Sequence, residues 1–325
     1  MKRASLFVIF CLGAAVWANA AQFSEGVPPV PPPPPVMAAL PPDGPPEPTL
    51  PPDPPSFFES ASGDCNDHYN VQFGDEQRTY RGQEEQTLPA TINSINVHGV
   101  KNGGVLVEGW DRNETHVTMC KYAAADDDAT GQARLNAIKL QISGGDITAT
   151  GPEGGRWSVH FFVQTPKTMA MKLETYNGPM KIENTAGDVE AHTTNGPLSL
   201  RSVGGTVHAT AQNGPIEVVD SSGNITVSAE NGPLKVKLAD NRWNGQGLEA
   251  STHNGPVDVR VPQNYQSGVD VEATGSGPFH CDLQDCDNVS ASKPWDRDKR
   301  VHIGGQTAVR VSTVNGPVRI SNAMQ

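Results

Sequence analysis

From residue 176 to residue 261 the chain alternates apolar and polar positions in runs too short for a helix. Met180 and Ile182, Leu198 and Leu200, Ile216 and Val218, Leu234 and Val236, and Val257 and Val259 each sit two residues apart. A second series does the same with Val189 and Ala191, Val207 and Ala209, Ile225 and Val227, and Leu248 and Ala250. A period of two gives a strand one core face and one solvent face, so each series predicts half-buried strands. Both recur at a step of 18 residues, which holds two short strands and two turns. One such coil cannot bury its own apolar face. The step therefore predicts an all-β solenoid (β-helix) of about 18 residues per coil, with inward positions stacked at the strand spacing of about 4.8 Å.

The step is marked by a tripeptide. Asn177-Gly178-Pro179, Asn195-Gly196-Pro197, Asn213-Gly214-Pro215 and Asn231-Gly232-Pro233 precede successive runs, and Asn254-Gly255-Pro256 and Asn315-Gly316-Pro317 follow at longer intervals. Asn and Gly tolerate positive φ and Pro favours an extended start, so these six tripeptides are expected to be structural corners. Gly187, Gly205 and Gly223 mark a second turn half a period later. The positions between the inward residues, Lys181, Ser199, Glu217, Lys235 and Asp258, are expected on a solvated face. There, stacked opposite charges such as Glu217 over Lys235 contribute about 0.2 to 1 kcal/mol each. No column is uniformly acidic, basic or aromatic, so the regular coils offer no ligand-binding stripe.

The flanks are less regular. Residues 56–163 read as strands without the fixed step, and 164–325 as the Asn-Gly-Pro coils, the two making one domain. Asp126, Asp127 and Asp128 are expected in a solvated loop, since adjacent acids lack the spaced ligand pattern of a calcium site. From Asn231 to Asn254 the interval grows to 23 residues, so Asn241 to Gly247 should bulge out with Trp243. A longer excursion, from Cys281 to Gly304, carries Trp295. The ligand surface or cap is expected beside these two loops, because insertions map to loops while the coils stay fixed. The last strand would need covering to avoid becoming a pairing edge.

With 33 Gly, 28 Pro and only 6% aromatic residues, the composition favours turns and extended structure over helix bundles. Lys2 and Arg3, an apolar run from Leu6 to Val16 and Ala18-Asn19-Ala20 read as a secretory signal over residues 1–20, too short to span a bilayer. Residues 21–55 form a Pro-rich linker expected to be disordered. In it, 16 of the 29 residues from Val27 to Pro55 are proline, enough for a polyproline II spacer of about 90 Å. The net charge of −12 disfavours nucleic acid and anionic membrane as partners. Outside the leader lie Cys65, Cys120, Cys281 and Cys286, an even count that in an exported chain favours disulfides; four cysteines allow three pairings, of which Cys65 with Cys120 and Cys281 with Cys286 is the expected one. The rival is a metal site from His280, Cys281 and Cys286, but a second ligand pair at zinc spacing is missing.

Neither Gly-x-Ser-x-Gly nor His-Glu-x-x-His occurs. Asp188 and Glu190, outward on one strand, would stand about 7 Å apart, the separation of an inverting glycosidase pair. With Lys172 and His208 as stacked neighbours, Glu190 reads better as part of a charge ladder. The strings Ile95–Arg112, Val159–Pro166 and Leu173-Glu-Thr-Tyr-Asn-Gly resemble the bacterial "putative adhesin" family of unknown function, a likeness running over roughly residues 90–325. The resemblance implies an exported β-solenoid and carries over no catalytic residue. This chain departs from the family in the Pro after nearly every Asn-Gly and in the insertion after Cys281. The expected function is that of a non-catalytic cell-envelope protein in the periplasm, on the outer surface or outside the cell, without a cofactor or metal. Its expected partners are envelope polysaccharide or another surface protein. A polysaccharide-processing enzyme on a β-helix and an envelope scaffold that self-associates end to end are the alternatives.

Overall fold

Seven strands and a helix precede the regular runs: β1 (Arg78–Leu88), β2 (Ser94–His98), β3 (Val105–Trp110), β4 (Thr115–Ala125), α1 (Asp128–Ala137), β5 (Lys139–Ser143), β6 (Asp146–Thr150) and β7 (Trp157–Pro166). The computed structural model describes residues 78–154, 156–275, 277–283 and 299–323, with Cys65, Phe73 and Cys286, all in one unit spanning Glu47–Gln325. The expected leader, the Pro-rich linker and Trp295 lie outside the described residues. The paired apolar runs then give β8 (Ala170–Asn177), β9 (Met180–Glu183), β10 (Val189–Asn195), β11 (Leu198–Arg201), β12 (Thr206–Asn213), β13 (Ile216–Val219), β14 (Asn224–Asn231), β15 (Leu234–Lys237), β16 (Gly247–Asn254) and β17 (Val257–Val261). Five more follow: β18 (Gly268–Ala273), β19 (Phe279–Cys281), β20 (Lys299–Ile303), β21 (Thr307–Asn315) and β22 (Val318–Asn322).

These strands make two 11-stranded sheets around one apolar core. One sheet runs β1-β4-β7-β3-β9-β11-β13-β15-β17-β22-β19 and the other β20-β18-β21-β16-β14-β12-β10-β8-β2-β6-β5. From β8 to β17 each layer contributes one strand to each sheet and neighbours pair in parallel, Leu198 beside Met180 and Ile216 and Ala209 beside Ala191 and Val227, while β1/β4, β4/β7, β5/β6 and β18/β20 are antiparallel. The alternation read from the sequence is the burial alternation. Met180, Leu198, Ile216, Leu234 and Val257 are all buried from one sheet, and Val189, Val207, Ile225 and Leu248 from the other.

The corners work differently from the sequence expectation. None of the six asparagines has positive φ, and of the six glycines only Gly196 and Gly214 do, at 155° and 158°, at the edge of the range that L side chains avoid. What demands glycine at every corner is the neighbouring layer, with φ adding to it at Gly196 and Gly214: a Cβ on Gly214 would lie 2.2 Å from the Gly196 carbonyl oxygen. The asparagine amides stack into a ladder. Asn177 donates to Asn102, Asn195 to Asn177, Asn213 to Asn195, Asn231 to Asn213, Asn254 to Asn231 and Asn315 to Asn254, all between 2.9 and 3.1 Å. The left-handed residues sit at the other turn, at Asn184, Ser202 and Asp220 (φ 56°, 51° and 51°) with Gly205 and Gly223.

Asp126 and Asp127 lie in an exposed bend, in keeping with the loop reading, while Asp128 opens the helix. The Asp127 carboxylate accepts the Thr130 N–H at 2.9 Å as the N-cap, and Asp128 in the first turn favours the helix dipole. Asp128 also accepts from Tyr80 Oη at 2.7 Å and pairs with Arg78 at 3.1 Å, tying α1 to β1.

At both ends spatial order departs from chain order. The first layer, β2 with β3, lies between the later β6/β7 and β8/β9 layers, and the last, β21 with β22, lies between β16/β17 and β18/β19. The final strands are therefore interior ones. At that end the strands left on the sheet edges are β20, antiparallel to β18, and the three-residue β19.

Candidate functional site

The outer faces of the two sheets have opposite character. On the short-strand sheet, the column expected to be solvated is closed over: Lys181, Ser199, Glu217 and Asp258 are all buried. Charges on this face pair both between layers and two residues apart on one strand. Glu217 accepts from Arg201 at 2.7 Å and pairs with Lys235 at 3.3 Å, Lys181 pairs with Glu183 at 2.8 Å, and Arg260 with Asp258 at 3.0 Å.

On the long-strand sheet the outward side chains stay accessible and form an open trough of about 820 Å³. Its floor is a file of hydroxyls in register, Thr210 beside Ser228, Ser228 beside Ser251 and Ser251 beside Ser312, one per layer. His192 extends the file, its Nδ1 within 2.8 Å of Thr210 Oγ1. Gln212, Glu230, His253 and Val314, each just before a corner asparagine, form one wall. Tyr176 holds the same place before Asn177. It is 50% exposed and Val314 40%, the two large apolar side chains that the described surface leaves out in solvent. Sequence reasoning missed this file because its members are small and differ in type. The signal was their shared place three residues before each corner.

The proposed aromatic surface is not formed by Trp243. That side chain is buried in the core, its Nε1 donating to the Gly223 carbonyl at 3.0 Å while Ser267 Oγ bonds its backbone N–H at 3.0 Å. The physical reason is the longer interval: the inserted residues open a gap in the wall of the core, and the indole fills it. An 18-residue step from Ile225 lands on Trp243, so the phase of the repeat pointed inward. Cys281 and Cys286 are joined in a disulfide, which removes both thiolates from the rival metal site, and Cys65 is joined to Cys120. His280 bonds Asp282 at 2.7 Å. Among the described residues no cluster of His, Cys, Asp and Glu is placed to hold a metal ion, and no helix is long and apolar enough to cross a membrane.

Glu190 has Lys172 at 3.6 Å, as the ladder reading has it. Among the described residues, the carboxyls held away from their ordinary range, Glu84, Asp127, Asp128, Glu174 and Asp270, are all held below it. In Asp270, burial pushes upward and the hydrogen bonds from His302 and Thr307 outweigh it. In Asp127 the Thr130 N–H does the work.

One buried histidine titrates. His160 Nδ1 accepts the Gly104 N–H at 3.1 Å and its ring stands edge-on to Tyr122, centroids 5.7 Å apart. Burial pushes it down from 6.5 to about 4. Between these values the unfolded chain binds the extra proton, so stability is complete above pH 6.5 and falls as pH drops toward 4. The loss amounts to about 3 kcal/mol. Denaturant titrations of His160→Asn, which keeps an acceptor for Gly104, should show this acid slope flattened; an unchanged slope would remove His160 as its source.

Among solved structures the chain is similar to a "putative cell adhesion protein" from Clostridium sporogenes, at 10% identity and TM-score 0.32, covering 75% of this chain and 100% of that one. It is similar also to putative adhesins from Bacteroides fragilis (10% identity, TM-score 0.35, 75% and 97% covered) and Parabacteroides distasonis (14%, 0.22, 74% and 97%). No curated protein matches it. A family model described as Toastrack DUF4097 matches residues 66–321, well over half of the sequence. The chain therefore belongs to the Toastrack DUF4097 family.

Proposed function

We propose that this protein is a non-catalytic, exported binding protein of the cell envelope, a β-solenoid with an 18-residue coil that holds a linear, uncharged polysaccharide along its trough. The observation that carries this reading is the hydroxyl file Thr210, Ser228, Ser251 and Ser312. Layers about 4.8 Å apart repeat at close to the length of one sugar ring in an extended chain, so a polymer crossing the strands meets an equivalent hydroxyl at each ring. Amide and imidazole groups on the wall add hydrogen bonds, and exposed Tyr176 offers a flat apolar face for a ring. Two disulfides support a place outside the reducing cytoplasm, in agreement with the signal-like start.

Calorimetric titration with neutral and acidic polysaccharides, alongside assay for new reducing ends, tests the reading. Binding of a neutral polymer is expected, weakened about tenfold or more by Ser251→Arg, which blocks the floor without touching the core. Release of reducing ends would overturn the non-catalytic part. Binding unaffected by Ser251→Arg in a variant of unchanged melting temperature would overturn the trough.

A further inference from the structure

The last layer occupies a slot that the chain leaves open for it. Between β17 and β18 the backbone steps past one layer, and residues 307–322 return later to fill the space. β21 is in register on both sides: Val309 between Leu248 and Val269, Val311 between Ala250 and Val271, and Thr313 between Thr252 and Ala273. β22 does the same, with Val318 between Val257 and Phe279 and Ile320 between Val259 and Cys281. The loop from Gly304 to Gln306 crosses the start of β18, so β20 and β21 clasp that strand from either side. His302 bonds Asp270 at 2.7 Å, Thr307 donates to Asp270 at 2.9 Å, and Arg300 pairs with Glu272.

From this topology we infer that residues 299–322 are an exchangeable clip, and that the slot between β16/β17 and β18/β19 of one copy accepts the clip of a second copy. With the slot empty, four strand edges and the apolar Leu248, Ala250, Val269 and Val271 would lose their cover, so an open molecule closes only on a segment of this sequence. An identical clip makes every bond the resident one makes, including the Asn315 amide to Asn254 at 3.0 Å. Neither disulfide tethers the clip, since both join residues before it in the chain. The corresponding insert at the other end, β2 with β3, has Cys65–Cys120 flanking it in sequence.

The test uses two populations of the full chain, one Ser251→Cys and one Ser312→Cys, each with Cys11→Ser so that the introduced thiol is the only one outside a disulfide. Ser251 and Ser312 are register neighbours on the outer face, and neither variant can cross-link within itself. Unfolded together without reductant, refolded at high concentration and oxidised, they are expected to give covalent heterodimers severalfold above a control pair, Thr210→Cys with Ser228→Cys, whose layers do not exchange. Matching melting temperatures of the single variants establish that all four refold. A heterodimer yield no greater than the control would overturn the exchange, as would equal and abundant cross-linking in both pairs, which reports surface collision.

Discussion

Gly214→Val is expected to cost about 3 kcal/mol or more and to leave the domain unfolded near body temperature. The first atom of the new side chain would sit 2.2 Å from the Gly196 carbonyl oxygen, and no rotamer relieves that, because Cβ is fixed to the backbone. Moving it to contact distance means parting two layers at the corner. The Gly196 N–H to Asn213 carbonyl bond at 3.0 Å and the Asn213 to Asn195 amide bond at 3.0 Å then go together. Gly144→Ala separates close approach from backbone conformation. There φ is 62° but nothing lies within 4 Å of the added Cβ, so the cost is that of a left-handed alanine, about 1 kcal/mol. Chemical denaturation of both variants checks this, and equal losses would show that conformation, not crowding, selects glycine at the corner. Glu217→Ala, harmless on a solvated face, should lose about 1 to 3 kcal/mol because it removes the buried carboxylate that Arg201 and Lys235 share.

How far the sequence foretold this molecule depends on how local the cause was. Alternation at Ile225 and Val227 is local, and it gave strands and inward faces correctly. Proximity in sequence likewise sufficed to pair Cys281 with Cys286. The character of Glu217 was misread because its exposure is decided by Arg201 and Lys235, one layer away on either side, not by its own strand. The asparagine ladder was hidden for the same reason: an Asn before Gly looks like a turn former until another Asn is stacked on it. The layer order was illegible in principle. Every corner presents the same amide and the same glycine, so Asn315 fits beside Asn254 as well as any other corner would, and only the lengths of the connecting segments break the tie. The trough followed from these registers, which is why its hydroxyls drew no notice while Trp243, conspicuous as a residue type, did.

Removing the Cys65–Cys120 disulfide is expected to lower stability by about 4 kcal/mol, and removing Cys281–Cys286 by about 2, from the loop entropy each withholds from the unfolded chain. The bonds close separations of 55 and 5 residues. The larger effect has a second, native-state component. Cys65 and Phe73 cover Tyr122, whose hydroxyl donates to the Cys65 carbonyl at 3.2 Å and whose ionisation burial pushes up to about 12. Behind Tyr122 lies the edge of His160. Losing the bond in Cys65→Ala/Cys120→Ala loosens that cover, admits water to the imidazole and brings its folded value back toward 6.5, so the acid loss of stability shrinks as the overall stability falls. Cys281→Ala/Cys286→Ala should leave the acid profile as it was. Melting temperatures of the two double variants across pH 4 to 8 separate the components. A large drop with the profile unchanged in Cys65→Ala/Cys120→Ala would assign the whole effect to the unfolded chain, and equal drops in both pairs would refute loop length as the reason they differ.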